Sequence, residues 1–158
     1  MIVYHYTDLK SGISILQDGY LEVPEKGQKY GLIPALWFSK QSIYDPSALK
    51  DYKQYGIIKL NSFEEQVITH GCMRFVYYEN DTLTSWRDFL RNSNLKRNRS
   101  QEIEKTYLEI GCNPSDWLCS FKNMSLRLFD SIEVFTDKWD WANEDNIQAA
   151  IRKAKKLN

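Results

Sequence analysis

Ile2-Val3-Tyr4-His5-Tyr6-Thr7-Asp8-Leu9-Lys10-Ser11-Gly12-Ile13-Ser14-Ile15-Leu16-Gln17-Asp18-Gly19 is the stretch whose reading decides the fold. Residues 2–6 form an apolar-aromatic run of the kind that fits a pleated strand. Thr7 or Asp8 then caps a helix. Leu9, Ile13 and Leu16 fall on one face of it, and Gly19 supplies the C-terminal stop. His5 therefore sits where a strand runs into a capped helix, a junction that exposes backbone donors and a side chain to a cleft. A histidine in an apolar strand also has a plain structural reading, so its neighbours must decide.

Working outward, Tyr20-Leu21-Glu22-Val23 is a second short extended piece, and residues 24–34 read as a loop punctuated by Pro24, Gly27, Gly31 and Pro34. Ala35-Leu36-Trp37-Phe38-Ser39 is a compact strand. Residues 42–52 read as a short helix or turn broken at Pro46. Residues 56–60 and 72–78 read as strands, with 61–72 unassigned. Helices are expected over 83–90 and 100–110, with the basic, asparagine-rich run 91–99 as the loop between them. Strands follow at 117–121 and 131–135, and an amphipathic helix at 143–157 has lysines near its C-terminus, where the macrodipole favours cations. Strands early and late with helices between imply an α+β domain spanning residues 1–158.

The composition narrows the function classes. Formal net charge is zero, so no global field draws the chain to nucleic acid or anionic lipid. No apolar run has the length of a membrane span, and the start lacks a basic n-region and an h-region. The expectation is an intracellular, cytoplasmic protein. Cys72, Cys112 and Cys119 make an odd count with no Cys-x-x-Cys pair, and only His5 and His70 accompany them. Neither a disulfide framework nor a metal site is expected, and the thiols read as small buried groups. Aromatic residues reach 14%, more than a small core requires, and such side chains suit flat ligands as well as cores.

A second segment joins the first: Leu36-Trp37-Phe38-Ser39-Lys40-Gln41-Ser42-Ile43-Tyr44-Asp45-Pro46-Ser47-Ala48. A strand ends in Ser39, and Tyr44 follows five residues later, where a flat ring over the strand's end would stack on a planar ligand. Taken in order, His5-Tyr6-Thr7 and Trp37-Phe38-Ser39 with Tyr44 resemble the ADP-ribosyltransferase superfamily of the diphtheria-toxin and poly(ADP-ribose) polymerase type. The run into Ile15-Leu16-x-x-Gly19-x-Leu21 also resembles the DarT-type DNA-modifying branch and the RNA 2′-phosphotransferases. Adding the Arg74-Phe75-Val76 strand, the chain is similar to a group of small bacterial and phage proteins. The resemblance covers about the first half of the chain and, weakly, the last two strands.

The resemblance implies a split β-sheet core with flanking helices and NAD as the substrate. It implies that His5 bonds the nicotinamide ribose, that the Tyr6 backbone holds the carboxamide, that Thr7 assists, that Ser39 supports the site and that Tyr44 stacks on the nicotinamide. Arg74 would clamp pyrophosphate, beside the plain reading of a surface arginine on an alternating strand. The chemistry is cleavage of an N-glycosidic bond through an oxocarbenium-like transition state, which a nearby carboxylate stabilises. The family supplies a glutamate at the start of a late strand. Asp116 stands at the matching place, while Asp45, beside Tyr44, and Glu109 are other candidates. Glu133 alternates with Ile132 and Val134 and so faces the opposite way. Tyr6 stands where the family commonly has glycine.

Three functions follow as expectations. The first is an ADP-ribosyltransferase acting on an intracellular macromolecule, protein or nucleic acid, as a toxin, defence component or phage factor. The second is an inactive module of the same fold that grips a nucleotide or a protein partner. The third, RNA 2′-phosphotransfer, ranks last, because only Arg74 and the segment 96–99 offer cations for the phosphate. That basic segment reads foremost as a solvated loop.

Overall fold

The computed structural model describes residues 1–25, 32–60 and 62–155. The glycine-punctuated loop therefore lies partly outside the described residues, at 26–31, as do residues 156–157 of the expected tail helix, which in the described residues ends at Lys153.

The opening stretch folds as its pattern dictates. Strand β1 (Ile2–Thr7) runs directly into helix α1 (Leu9–Asp18). The Asp8 carboxylate accepts from the Ser11 amide at 2.8 Å as the N-cap, and Gly19 closes the helix in the left-handed region at φ 82°. The chain continues through β2 (Tyr20–Leu21), β3 (Leu36–Ser39), β4 (Asp51–Gln54), β5 (Ile57–Leu60), α2 (Phe63–Thr69), β6 (Met73–Tyr78), β7 (Thr84–Ser85), α3 (Trp86–Asn92), α4 (Arg97–Glu109), β8 (Trp117–Ser120), β9 (Met124–Ser125), β10 (Ser131–Phe135), β11 (Trp139–Trp141) and α5 (Glu144–Lys153).

The main sheet has seven strands in the order β11-β10-β6-β1-β3-β8-β7, and all of its pairings are antiparallel. Mixed α+β architecture is thus as expected. The sheet is unevenly laddered. β1 pairs with β6 along its whole length, from Ile2↔Tyr78 to Thr7↔Met73. β3 pairs with β8 from Leu36↔Ser120 to Ser39↔Trp117. Between these halves, β1 and β3 share the single pair Tyr4↔Ser39. The two strands part beyond it.

Alternation sends successive side chains to opposite faces. Val3, Leu36, Phe38, Phe75, Tyr77 and Leu118 make one core on the first face. Beside it, α1 and α5 pack Leu9 and Ala150, with Ile13, Leu16, Ile147 and Ile151, on Met73 and Val134. On the second face, α3 and α4 bring Trp86, Phe89 and Ile103 against Trp37, Trp117 and Cys119. α2 lays Phe63 and Val67 near Tyr6. The three cysteines are buried and free. No helix among the described residues is long and apolar enough to cross a membrane.

Several local expectations need correction. The basic run is not wholly a linker: Arg97, Asn98 and Arg99 already belong to α4, whose N-cap residue Lys96 makes no side-chain capping bond. The region 42–52 holds a short 3-10 turn at Pro46–Ala48, which Pro46 begins rather than breaks, and then the start of strand β4. The unassigned residues contain α2, closed by a reciprocal capping box in which Ser62 and Glu65 each bond the other's backbone.

Candidate functional site

Where β1 and β3 part, a cavity of about 600 Å³ opens. Its size suits a cofactor-sized molecule. His5, Thr7, Trp37, Ser39, Asp45 and Tyr107 are among its walls.

His5 lies on the first face, with its ring 5.7 Å from Phe38 and 6.1 Å from Phe75. Its Nδ1 is 2.8 Å from the Trp37 carbonyl oxygen. A carbonyl only accepts, so Nδ1 carries the hydrogen and Nε2 keeps its lone pair in the neutral ring. Burial pushes the imidazole below its usual pKa, and the Trp37 hydrogen bond opposes this only in part. A neutral imidazole with a bare Nε2 is an acceptor for a ligand hydroxyl.

Asp45 forms the opposite wall. It is 2% exposed, and both of its oxygens accept. Oδ2 takes the Ser39 hydroxyl at 2.6 Å and the Trp117 indole N–H at 3.1 Å. Oδ1 takes the Ser47 amide at 2.9 Å, the Ser47 hydroxyl at 2.6 Å and the Cys112 thiol at 3.4 Å. This carboxylate joins the end of β3, the 3-10 turn and β8. Burial, followed by the neighbouring Asp45, pushes the Cys112 thiol up to about 12, so it stays protonated.

Residues 40–43 connect Ser39 to Tyr44, and their backbone is fastened at every step. The Lys40 amide donates to the Asp116 carbonyl at 3.0 Å. The Tyr6 hydroxyl donates to the Gln41 carbonyl, and Arg74 donates to the Ser42 carbonyl. The Trp139 indole donates to the Ile43 carbonyl at 2.8 Å. The Gln41 side chain closes the set by donating to the Asp116 carboxylate at 2.5 Å.

These contacts sort the residues expected at the site. His5, Tyr6, Thr7, Ser39 and Asp45 come together around the cavity. Tyr44, Asp116 and Arg74 are not among its lining residues. Tyr44 stacks flat on Phe63, at 4.5 Å and 3°, in the α2 cluster. The reason is the extended backbone at Asp45, φ −116° and ψ 124°, which sends neighbouring side chains to opposite sides. With Asp45 in the cavity wall, Tyr44 faces away. Asp116 is spent on Gln41. Arg74 pairs with Glu133 on the second face, with its guanidinium 4.6 Å from the Tyr4 ring centre and 4.4 Å from that of Trp139. Its partner in register on β1 is Tyr6, one residue beyond His5, which puts it across the sheet from the imidazole. Glu109 is exposed on α4.

Other lining residues escaped the sequence reading. Trp37 supplies the carbonyl for His5, while its own indole N–H is buried with no partner among the described residues. Tyr107 and Trp117 meet edge to face at 5.0 Å in the same wall. Ser11, Ser14, Ile15 and Asp18 of α1 also line the cavity. Ser11, Ser14 and Asp18 make a polar edge at i, i+3 and i+7 of the helix, while Ile15 between them packs on the first core. Among the described residues, no cluster of His, Cys, Asp and Glu could hold a metal ion. Comparison with protein-family models, with curated proteins and with solved structures finds no match for this chain.

Proposed function

We propose that this chain is an ADP-ribosyltransferase-like protein that takes NAD into the cavity between β1 and β3 and transfers ADP-ribose to a macromolecule. The observation that carries the reading is His5: a neutral imidazole, anchored through Nδ1 to Trp37, offers Nε2 as acceptor where the sheet parts. A ribose hydroxyl is the group that such an acceptor suits. The divided sheet accords with the split core that the resemblance implies. In this reading Thr7 and the Tyr6 backbone hold the nicotinamide end, and Ser39 supports the wall through Asp45.

A second reading, binding without transfer, has its own observation. No carboxylate considered for the oxocarbenium-like transition state stands free in the cavity: Asp45 is held by five neutral donors, Asp116 by Gln41 and Glu133 by Arg74, and Glu109 is exposed on α4 and is not among the lining residues. Labelled NAD separates the two. Label on an acceptor, or released nicotinamide, supports the transferase. Calorimetric binding that leaves NAD intact supports the module. No binding to wild type, or equal binding to His5→Ala, sinks both.

A further inference from the structure

The seven-stranded sheet is two ladders joined at one point. β11, β10, β6 and β1 form one half, and β3, β8 and β7 form the other. Among the described residues, Tyr4↔Ser39 is the one register pair between them. The two faces treat this seam differently. On the first face a single core crosses it, with Val3 and Phe75 of one half packed with Phe38 and Leu118 of the other. On the second face the cores stay apart. Trp86, Ile103 and Trp117 belong to one, and Tyr6, Phe63 and Val67 to the other.

Residues 40–43 bridge the seam on that second face. Both ends of the segment are anchored in the β3–β8 half, because the Ser39 hydroxyl and the Trp117 indole donate to Asp45. Asp116, just before β8, holds Lys40 and Gln41. The middle is gripped by the opposite half. Tyr6 of β1, Arg74 of β6 and Trp139 of β11 donate in turn to the carbonyls of Gln41, Ser42 and Ile43. Tyr44 adds its stack on Phe63 of α2. Each grip is a side-chain bond to an exposed segment, and its net worth is far below that of a strand ladder.

We propose that residues 40–43 are a clasp, and that the two halves hinge on the first-face core, so that releasing the clasp opens the cavity on the second face. The cavity sits at the seam. Ser39 and Asp45 of its wall travel with the β3–β8 half, and Tyr6 stays with β1. A ligand that touches both halves therefore favours the closed form by its differential affinity for it. This holds whichever molecule the cavity takes.

Double electron–electron resonance reads the hinge. One pair of spin labels crosses the seam, on Glu64→Cys of α2 and Lys105→Cys of α4. A control pair, Arg87→Cys of α3 and Lys105→Cys, stays within one half. All three label positions are exposed, whereas the native cysteines are buried. Trp139→Phe and Tyr6→Phe each delete one donor to the clasp and keep a ring in place. In each variant the crossing pair is expected to gain a longer distance, its population about three- to five-fold above wild type, and higher again with both substitutions. The control pair keeps one distance throughout. A crossing distance unchanged in both single variants overturns the clasp, and the single variants decide this even where the double variant fails to fold. Lengthening that appears equally in the control pair also overturns it, because general loosening is then the cause.

Discussion

His5 Nδ1 meets the Trp37 carbonyl at 2.8 Å, so one side chain of β1 bonds the backbone of β3 beyond their only shared register pair. The histidine bridges the gap that its own strand opens. Burial holds its imidazole below the ordinary value of 6.5, partly offset by this bond. As pH falls under 6.5, the unfolded chain takes up a proton that the folded one resists. The histidine's contribution to stability is therefore complete above 6.5 and declines as pH falls towards the lowered folded value. His5→Asn keeps an N–H near the Nδ1 position and cannot titrate. Urea midpoints should fall more steeply between pH 7.5 and 5.5 for wild type than for this variant. Parallel slopes would contradict the assignment.

The five donors on Asp45 make it the tie between β3, the following turn and β8. Asp45→Ala leaves buried Ser39 and Trp117 donors unpaired. Asp45→Asn turns an amide group towards donors. Each should cost about 2–4 kcal/mol in chemical denaturation. A loss below about 1 kcal/mol would show that the network does not hold the wall.

Arg74 separates two roles cleanly. As a fastener of Ser42 held between Tyr4 and Trp139, it should make Arg74→Lys destabilising by about 1–3 kcal/mol, because an ammonium cannot reproduce the planar stack and fork. Ligand affinity of the folded variant should stay within about two-fold of wild type, since such a change is no more than about 0.4 kcal/mol. A large loss of NAD affinity with unchanged stability would restore the pyrophosphate clamp.

Gly71 joins α2 to β6 at φ 69°, and a Cβ there would lie 2.7 Å from the Leu9 Cβ. Gly19 has a similar φ of 82° with open space around it. Gly71→Ala therefore combines backbone strain with a clash against a fully buried leucine, whereas Gly19→Ala carries the strain alone. Thermal denaturation should show the first variant losing about 2 kcal/mol more than the second. Equal losses would argue that Leu9 yields.

The β1–α1 junction was legible because several local rules agree there: the strand pattern, the Asp8 cap and the Gly19 stop all point the same way. The other half of the cleft was legible only as composition. Ser39 and Asp45 could be named, yet their mutual bond is a tertiary fact. Tyr44 looked like a lid because nothing local reveals that its neighbour Asp45 takes the inward direction. Arg74 and Asp116 were chosen for chemistry that a cleft would need. The fold instead spends both on the 40–43 segment, through bonds that join residues far apart in sequence. Helix α2 is the opposite case: Ser62-x-x-Glu65 was a readable capping box, hidden because seven residues are too few to display a period.

With Nδ1 bonded to Trp37, His5 keeps Nε2 as its acceptor where β1 and β3 part, the atom on which the proposed NAD site rests. Long-range ¹H–¹⁵N NMR of the histidine rings, recorded with and without NAD, tests it most directly. His5 should show a protonated Nδ1 and an unprotonated Nε2 in the free protein, with the Nε2 resonance moving upfield as NAD is added. A protonated Nε2 in the free protein, or an Nε2 resonance that ignores saturating NAD, would contradict it.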